Sequence, residues 1–242
     1  MDKYEFIGVQ LGDKHSYKDF GLVFNSRPVI SPPAVKTAYV DVPGMNGSLD
    51  LTESLTGDVR YGTRTISLSF KVIGDREKWS DIYSDLLYYL HGQEMRIIFD
   101  EDPTYFYKGR VSINEWKSSI FTSDIAVDAV VDPYKYDLYS STEDWLWDPF
   151  NFDTGLIRDY RNLKVDGTLN YTIPGTRMKV VPTFTVKSDD GSGLKVTYER
   201  KTYSLPDGTT RIPEIVIKNQ TNNQFTFTGN GTVTIEYRGG EL

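Results

Sequence analysis

The chain of 242 residues contains no cysteine, so disulfide scaffolds, thiolate zinc sites and thiol nucleophiles are excluded outright. Histidine is nearly absent too. His15 and His91 are the only two, too few for a credible Ser-His-Asp arrangement. No glycine-rich loop followed by Lys and Ser or Thr is present to cradle a phosphate. Long apolar runs are missing: nothing approaches the roughly 20 residues of a membrane-spanning helix. The opening MDKYEFIGVQLGDKHSY lacks an apolar signal core. The expectation is a protein made and kept in the cytosol, or released with something else, without membrane insertion. Positive charge is also short, with 27 basic against 34 acidic residues and a net charge of -7. That balance disfavours sequence-independent nucleic-acid binding, which needs dense neutralisation of phosphates by Lys and Arg. A channel lining past which DNA slides would tolerate it.

Aromatic residues are plentiful, 17 of them tyrosines. Tyrosine suits both interfaces and β-sheets, so composition alone does not separate the two. The length is enough for two small domains or one large β domain with a substantial core.

The most informative stretch is VDVPGMNGSLDLTESLTGDVRYGTRTISLSF, residues 40–70. It ends in a clear strand, where Ile66, Leu68 and Phe70 alternate with Thr65, Ser67 and Ser69. The part before that strand is polar and weakly apolar, with turn signals at Pro43-Gly44 and Asn46-Gly47. It can pair as a hairpin but cannot bury a core of its own, so it reads as an arm needing another surface. A plain surface hairpin is the alternative.

Along the rest of the chain, residues 4–11 and 20–24 read as short strands joined by a polar loop that carries a solvated His15. Pro28, Pro32 and Pro33 interrupt pairing, and Val35 to Val42 leads as a strand into the arm. One helix is expected after Phe70, capped by Asp75 and stopped by Gly92. Its Trp79, Ile82, Tyr83, Leu86, Leu87 and Leu90 form one apolar stripe, and His91 is expected to meet the carbonyls of its last turn. Strands are expected at Met95–Phe99, Tyr105–Val111 and Phe121–Val131. The turn Asp100-Glu101-Asp102-Pro103 between the first two invites a metal, but its spacing is not that of a calcium loop and an acidic turn explains it.

Residues 132–155 hold two prolines and many acids around Trp145 and Trp147. They read as a linker lying on a surface and anchored by aromatics. From about Leu156 the pattern is all β, with strands expected at 168–173, 178–186, 194–198, 201–205, 211–217, 225–227 and 232–237. Turns are expected at Pro174-Gly175, Asp190-Gly191, Pro206-Asp207-Gly208 and Asn230-Gly231. Such spacing indicates a sandwich or jelly roll.

The runs VPGMNGSLDLTE, VRYGTRTISLSF, FDEDPTYFYKGRV and VVDPYKY, in that order, resemble the N-terminal half of the distal tail protein (Dit) family of long, non-contractile-tailed bacteriophages and prophages. The resemblance covers roughly residues 1–140 and is weaker beyond, where it rests on FTGNGTVTIEYRGGEL. It implies a mainly β protein with one helix. Residues 1–135 would be an α+β ring-forming domain of β-sandwich, helix and extended hairpin arm at about 44–63. Residues 136–155 would be a linker, and 156–242 a galectin-like β-sandwich in compact form. It further implies a structural, non-enzymatic protein without cofactors or metals. Six copies would form a ring at the distal end of the virion tail, assembled in the host cytoplasm. The ring would join the tail tube protein to a tail-associated lysin-like tip protein, meet the tape measure protein, carry receptor-binding proteins outside, and let DNA pass. The arm would wrap a neighbouring subunit through Met45, Asn46, Leu49, Leu51, Leu55, Val59 and Tyr61.

The alternative is a carbohydrate-binding module for cell-wall adhesion, with a glycan-cleaving enzyme more distant. Asp144 with Asp148, or Asp100 with Asp102, would be arbitrary choices for paired catalytic acids. A galectin-type site would use a stacking tryptophan, and none follows Trp147; Tyr171, Tyr198, Tyr203 and Tyr237 would have to substitute.

Overall fold

A computed structural model describes residues 7–54, 56–119, 121–143, 160–218 and 222–242. The chain divides into two compact units, Met1–Lys135 together with Leu242, and Tyr136–Glu241. Strands dominate both, and the sheets are curled.

In the first unit one sheet has the order β2-β1-β10-β11-β12-β9-β3. These strands are β1 (Val9–Leu11), β2 (Lys14–His15), β3 (Leu22–Phe24), β9 (Arg64–Val72), β10 (Glu94–Phe99), β11 (Tyr105–Ser118) and β12 (Ser123–Val131). A further short strand, β4 (Val29–Ile30), also pairs with β9. The alternation read in β9 is what builds the core. Ile66, Leu68 and Phe70 lie opposite Ala129, Val127 and Ile125 of β12, and all six are buried. Helix α2 (Trp79–Leu90) covers this layer: Trp79, Leu86 and Leu90 are buried, with Ile82, Tyr83 and Leu87 packed alongside. Tyr83 stacks on Trp116 of β11 at 4.4 Å between ring centres, fixing the helix to the sheet.

Several local expectations change. Residues 16–20 are not loop but a one-turn helix, α1 (Ser16–Phe20), with His15 as its N-cap. Asp75 opens a 3₁₀ turn at Arg76–Lys78 ahead of α2 and makes no side-chain cap. His91 does not serve carbonyls; its Nδ1 accepts the Ile113 N–H, which faces the β10 side of β11 beyond the point where the β10 pairing ends. Val35–Val42 is two short strands rather than one, β5 (Val35–Lys36) and β6 (Tyr39–Asp41).

Two of the three carboxylates of the acidic turn are spent on the protein itself. Asp100 accepts the Gly8 N–H and an imidazole hydrogen bond from His15, and Asp102 pairs with Lys135 at 2.7 Å.

The second unit is built around its longest strand. After the short β13 (Lys135–Asp137) come β14 (Leu163–Pro174), β15 (Thr183–Ser188), β16 (Leu194–Tyr198), β17 (Lys201–Leu205), β18 (Gly208–Arg211) and β19 (Asn222–Glu236). The order is β17-β16-β19-β15-β18, with β14 also on β19. Phe184, Phe225, Phe227, Val233 and Ile235 fill its core. The expected turn at Asn230-Gly231 does not exist. Asn230 stays in the ladder opposite Asp166, and its side chain accepts the Gly167 N–H. The strand expected at 178–186 starts only at Thr183, and the one expected at 211–217 is not a strand. Instead β18 occupies Gly208–Arg211, starting within the expected turn, and beyond it Ile217 meets Val180 in an isolated bridge. Within this unit residues 137–143 are held by polar contacts. Arg238 donates to the Asp137 and Leu138 carbonyls and to Glu143, and Ser141 bonds the backbone of Ile235 and Tyr237. Trp145, Trp147, Asp144 and Asp148 lie outside the described residues.

Candidate interaction site: the exposed arm

Between β4 and β9 the chain leaves the body of the first unit as a narrow ribbon. Strand β5 pairs with β8 (Arg60–Tyr61) at the root, and β6 pairs with β7 (Ser48–Asp50) further out. Neither pair is part of a larger sheet. The Met45 N–H closes a turn onto the Val42 carbonyl with Pro43 and Gly44 between, and Gly44 has φ +83°. Pro at the first central position and a glycine with positive φ at the second are what a type II turn needs. A Cβ on Gly44 would meet nothing within 4 Å, so this glycine is present for its backbone and not for space.

The ribbon has two unlike faces. Val40 lies directly opposite Leu49, and the alternation runs on through Val42 and Leu51. The other face carries Asp41, Ser48 and Asp50, where Ser48 donates to Asp41, together with an exposed Tyr39 opposite Asp50. Thr52 hydrogen bonds hold the Asp50 carboxyl below its ordinary pKa. One face is thus apolar and the other mostly polar, as on any half-buried sheet. Here nothing lies under the apolar face: Val40, Val42, Leu49 and Leu51 are 46, 40, 44 and 37% exposed. An isolated two-stranded ribbon is at best marginally stable in water, and a sheet face of this pattern is normally covered.

Of the residues expected on the arm, Met45, Asn46, Leu49 and Leu51 are exposed. Val59 is half-buried, and so is Tyr61, which sets its ring edge-on to Tyr134 at 6.2 Å and anchors the root. Burial, and then the neighbouring Tyr61, push the Tyr134 hydroxyl pKa up. Leu55 lies outside the described residues. The arm also begins earlier than position 44. Val35, Tyr39, Val40 and Val42 are exposed apolar residues that the expected boundary left out.

The tyrosines weighed for sugar stacking are packed instead. Tyr198 and Tyr237 are buried, Tyr171 and Tyr203 lie against the core, and Tyr160, not weighed, is buried and stacked on Tyr237.

Comparison with known proteins gives these features a family. Residues 14–132 match the family model of the phage tail protein RIFT-related domain. That span takes in the helix, the whole arm and most of the sheet, though not β1, and with the shared fold it supports a structural protein of a phage tail. The complete fold, both units in order, is that of the distal tail proteins. The crystal structure of Dit from phage SPP1 superposes with a TM-score of 0.62 over 97% of this chain and 99% of that one, at 12% identity. That protein is described as a paradigm of the hub adsorption apparatus in phages infecting Gram-positive bacteria. No curated protein matches the sequence.

Proposed function

We propose that six copies of this chain form a ring at the distal end of a siphophage tail. The ring joins the tail tube to the adhesion apparatus at the tip and leaves a central channel for DNA. The observation that carries this reading is the uncovered apolar face of the β6–β7 ribbon, formed by Val40, Val42, Leu49 and Leu51. A neighbouring copy is the natural cover, because every copy in a closed ring both gives an arm and receives one. The fold shared with SPP1 Dit, a hub of its adsorption apparatus, supports the same placement. The second unit then serves as an outward scaffold for other tail-tip proteins.

Deleting residues 48–58 tests the reading. The shortened chain should keep its circular dichroism spectrum and cooperative unfolding, since the ribbon contributes nothing to either core. It should fail to form rings by sedimentation velocity. A hexamer surviving the deletion would show that the arm is not what closes the ring.

A further inference from the structure

The arm returns to the body at Arg64, the first residue of β9, and this residue sits in an unusual environment. It is in phase with Ile66, Leu68 and Phe70 on the buried face and is only 7% exposed. Its guanidinium lies over the Tyr107 ring at 5.7 Å from the centre, and its Nε has no hydrogen-bond partner. Among the described residues no carboxylate pairs with it. A guanidinium offers five donors in a planar fork shaped for a carboxylate, and removing it from water without one is costly. The contact with Tyr107 offsets only part of that cost. A charged group kept at such a position in one copy is explained if a second copy completes it.

The arm supplies the acids. Asp41 already takes the Ser48 hydroxyl, Asp50 takes Thr52, and Asp58 is engaged as well. Glu53, in the connection between β7 and β8, is exposed, and its carboxylate has no partner among the described residues. We propose that the Arg64 guanidinium receives the Glu53 carboxylate of a neighbouring copy, so that each arm locks by a charge-assisted pair at the root of the next arm. This rests on the ring reading above and adds to it the pair of side chains that sets the register of arm against body.

Full-length wild type, R64Q and E53Q are compared by sedimentation velocity over a concentration series, with thermal unfolding as the check on folding. Both variants should fold, E53Q because its site is exposed and R64Q because a buried unpaired charge is removed. Each should raise the concentration for half-assembly by about tenfold or more. The absence of cysteine allows a direct readout. Mixing R64C chains with E53C chains and a bis-maleimide that spans the Cα separation of an Arg–Glu pair, too wide for a disulfide, should give a cross-linked dimer that neither gives alone. Rings forming normally from R64Q or from E53Q, or a mixed ring without the cross-link, overturn the pairing and leave the ring reading standing. A wild-type chain monomeric at every concentration overturns both.

Discussion

Replacing His15 by alanine is expected to destabilise the first unit by about 1 kcal/mol, the usual value of a helix N-cap. The His15 Nδ1 accepts the N–H groups of Tyr17 and Lys18, which places the ring proton on Nε2, facing Asp100. H15N keeps a side-chain acceptor at the cap and should recover part of the loss in a thermal unfolding series; equal stability of H15A and wild type would contradict the capping role. Tyr198 makes a second prediction. Burial, with a smaller contribution from Glu199, pushes its hydroxyl pKa up to about 12, and the hydroxyl donates toward the Val216 carbonyl and the Asn223 side chain. An acid with a raised pKa in the folded state holds its proton where the unfolded chain has lost it. Its stabilising contribution is therefore complete below about pH 10 and is lost as the pH rises toward 12. Denaturant titrations should show this decline in wild type and a flatter profile in Y198F. The two residues differ in legibility. Tyr198 stood in a clear strand pattern, whereas histidine is not among the residues that usually cap helices, and its partner Asp100 is 85 positions away.

At the scale of elements, β16 and β17 were readable at their observed bounds, but the turn between them was not. Glu199 and Arg200 both have positive φ, 46° and 67°, in a two-residue hairpin turn where Asn-Gly is favoured. The double substitution E199N/R200G should relieve that strain and stabilise the second unit by about 1 kcal/mol. The lost Glu199–Lys218 pair is exposed and subtracts little. A rise in melting temperature is the expected result; an unchanged or lower one would mean the turn is not strained. Asn230-Gly231 is the converse case, a turn pair in sequence that lies inside β19 because β14 holds both sides of the ladder. Local turn chemistry lost there to a long-range pairing that no short window contains. The arm's polarity and glycines were legible, and so was its lack of a core. Its true start near Val35 was not, because the short strands β5 and β6 carry the same pattern as strands of the body. Arg64 was within reach, since the alternation through Ile66, Leu68 and Phe70 already assigned its side chain to the inside.

For the whole molecule, the four stronger motifs that resemble distal tail proteins lie in the first unit apart from Tyr136, and the second was readable as a set of β-strands with only the weaker resemblance at FTGNGTVTIEYRGGEL. Several of its strands were detectable, but β19 reads in sequence as two strands and β18 is displaced, and the order around β19 depends on pairings such as Tyr171 with Phe225 that alternation does not encode. The net charge of -7 bears on the channel. Filter binding of double-stranded DNA at about physiological salt should show at most weak, salt-sensitive retention, because few phosphates would be neutralised. Tight retention that resists salt would contradict passage without grip. The central claim is that the chain closes into a ring of six, and sedimentation velocity of the purified full-length protein tests it most directly. The account predicts a single concentration-dependent species at six times the 27.6 kDa chain mass. A monomer that persists at high concentration, or an open-ended series of larger species, would contradict it.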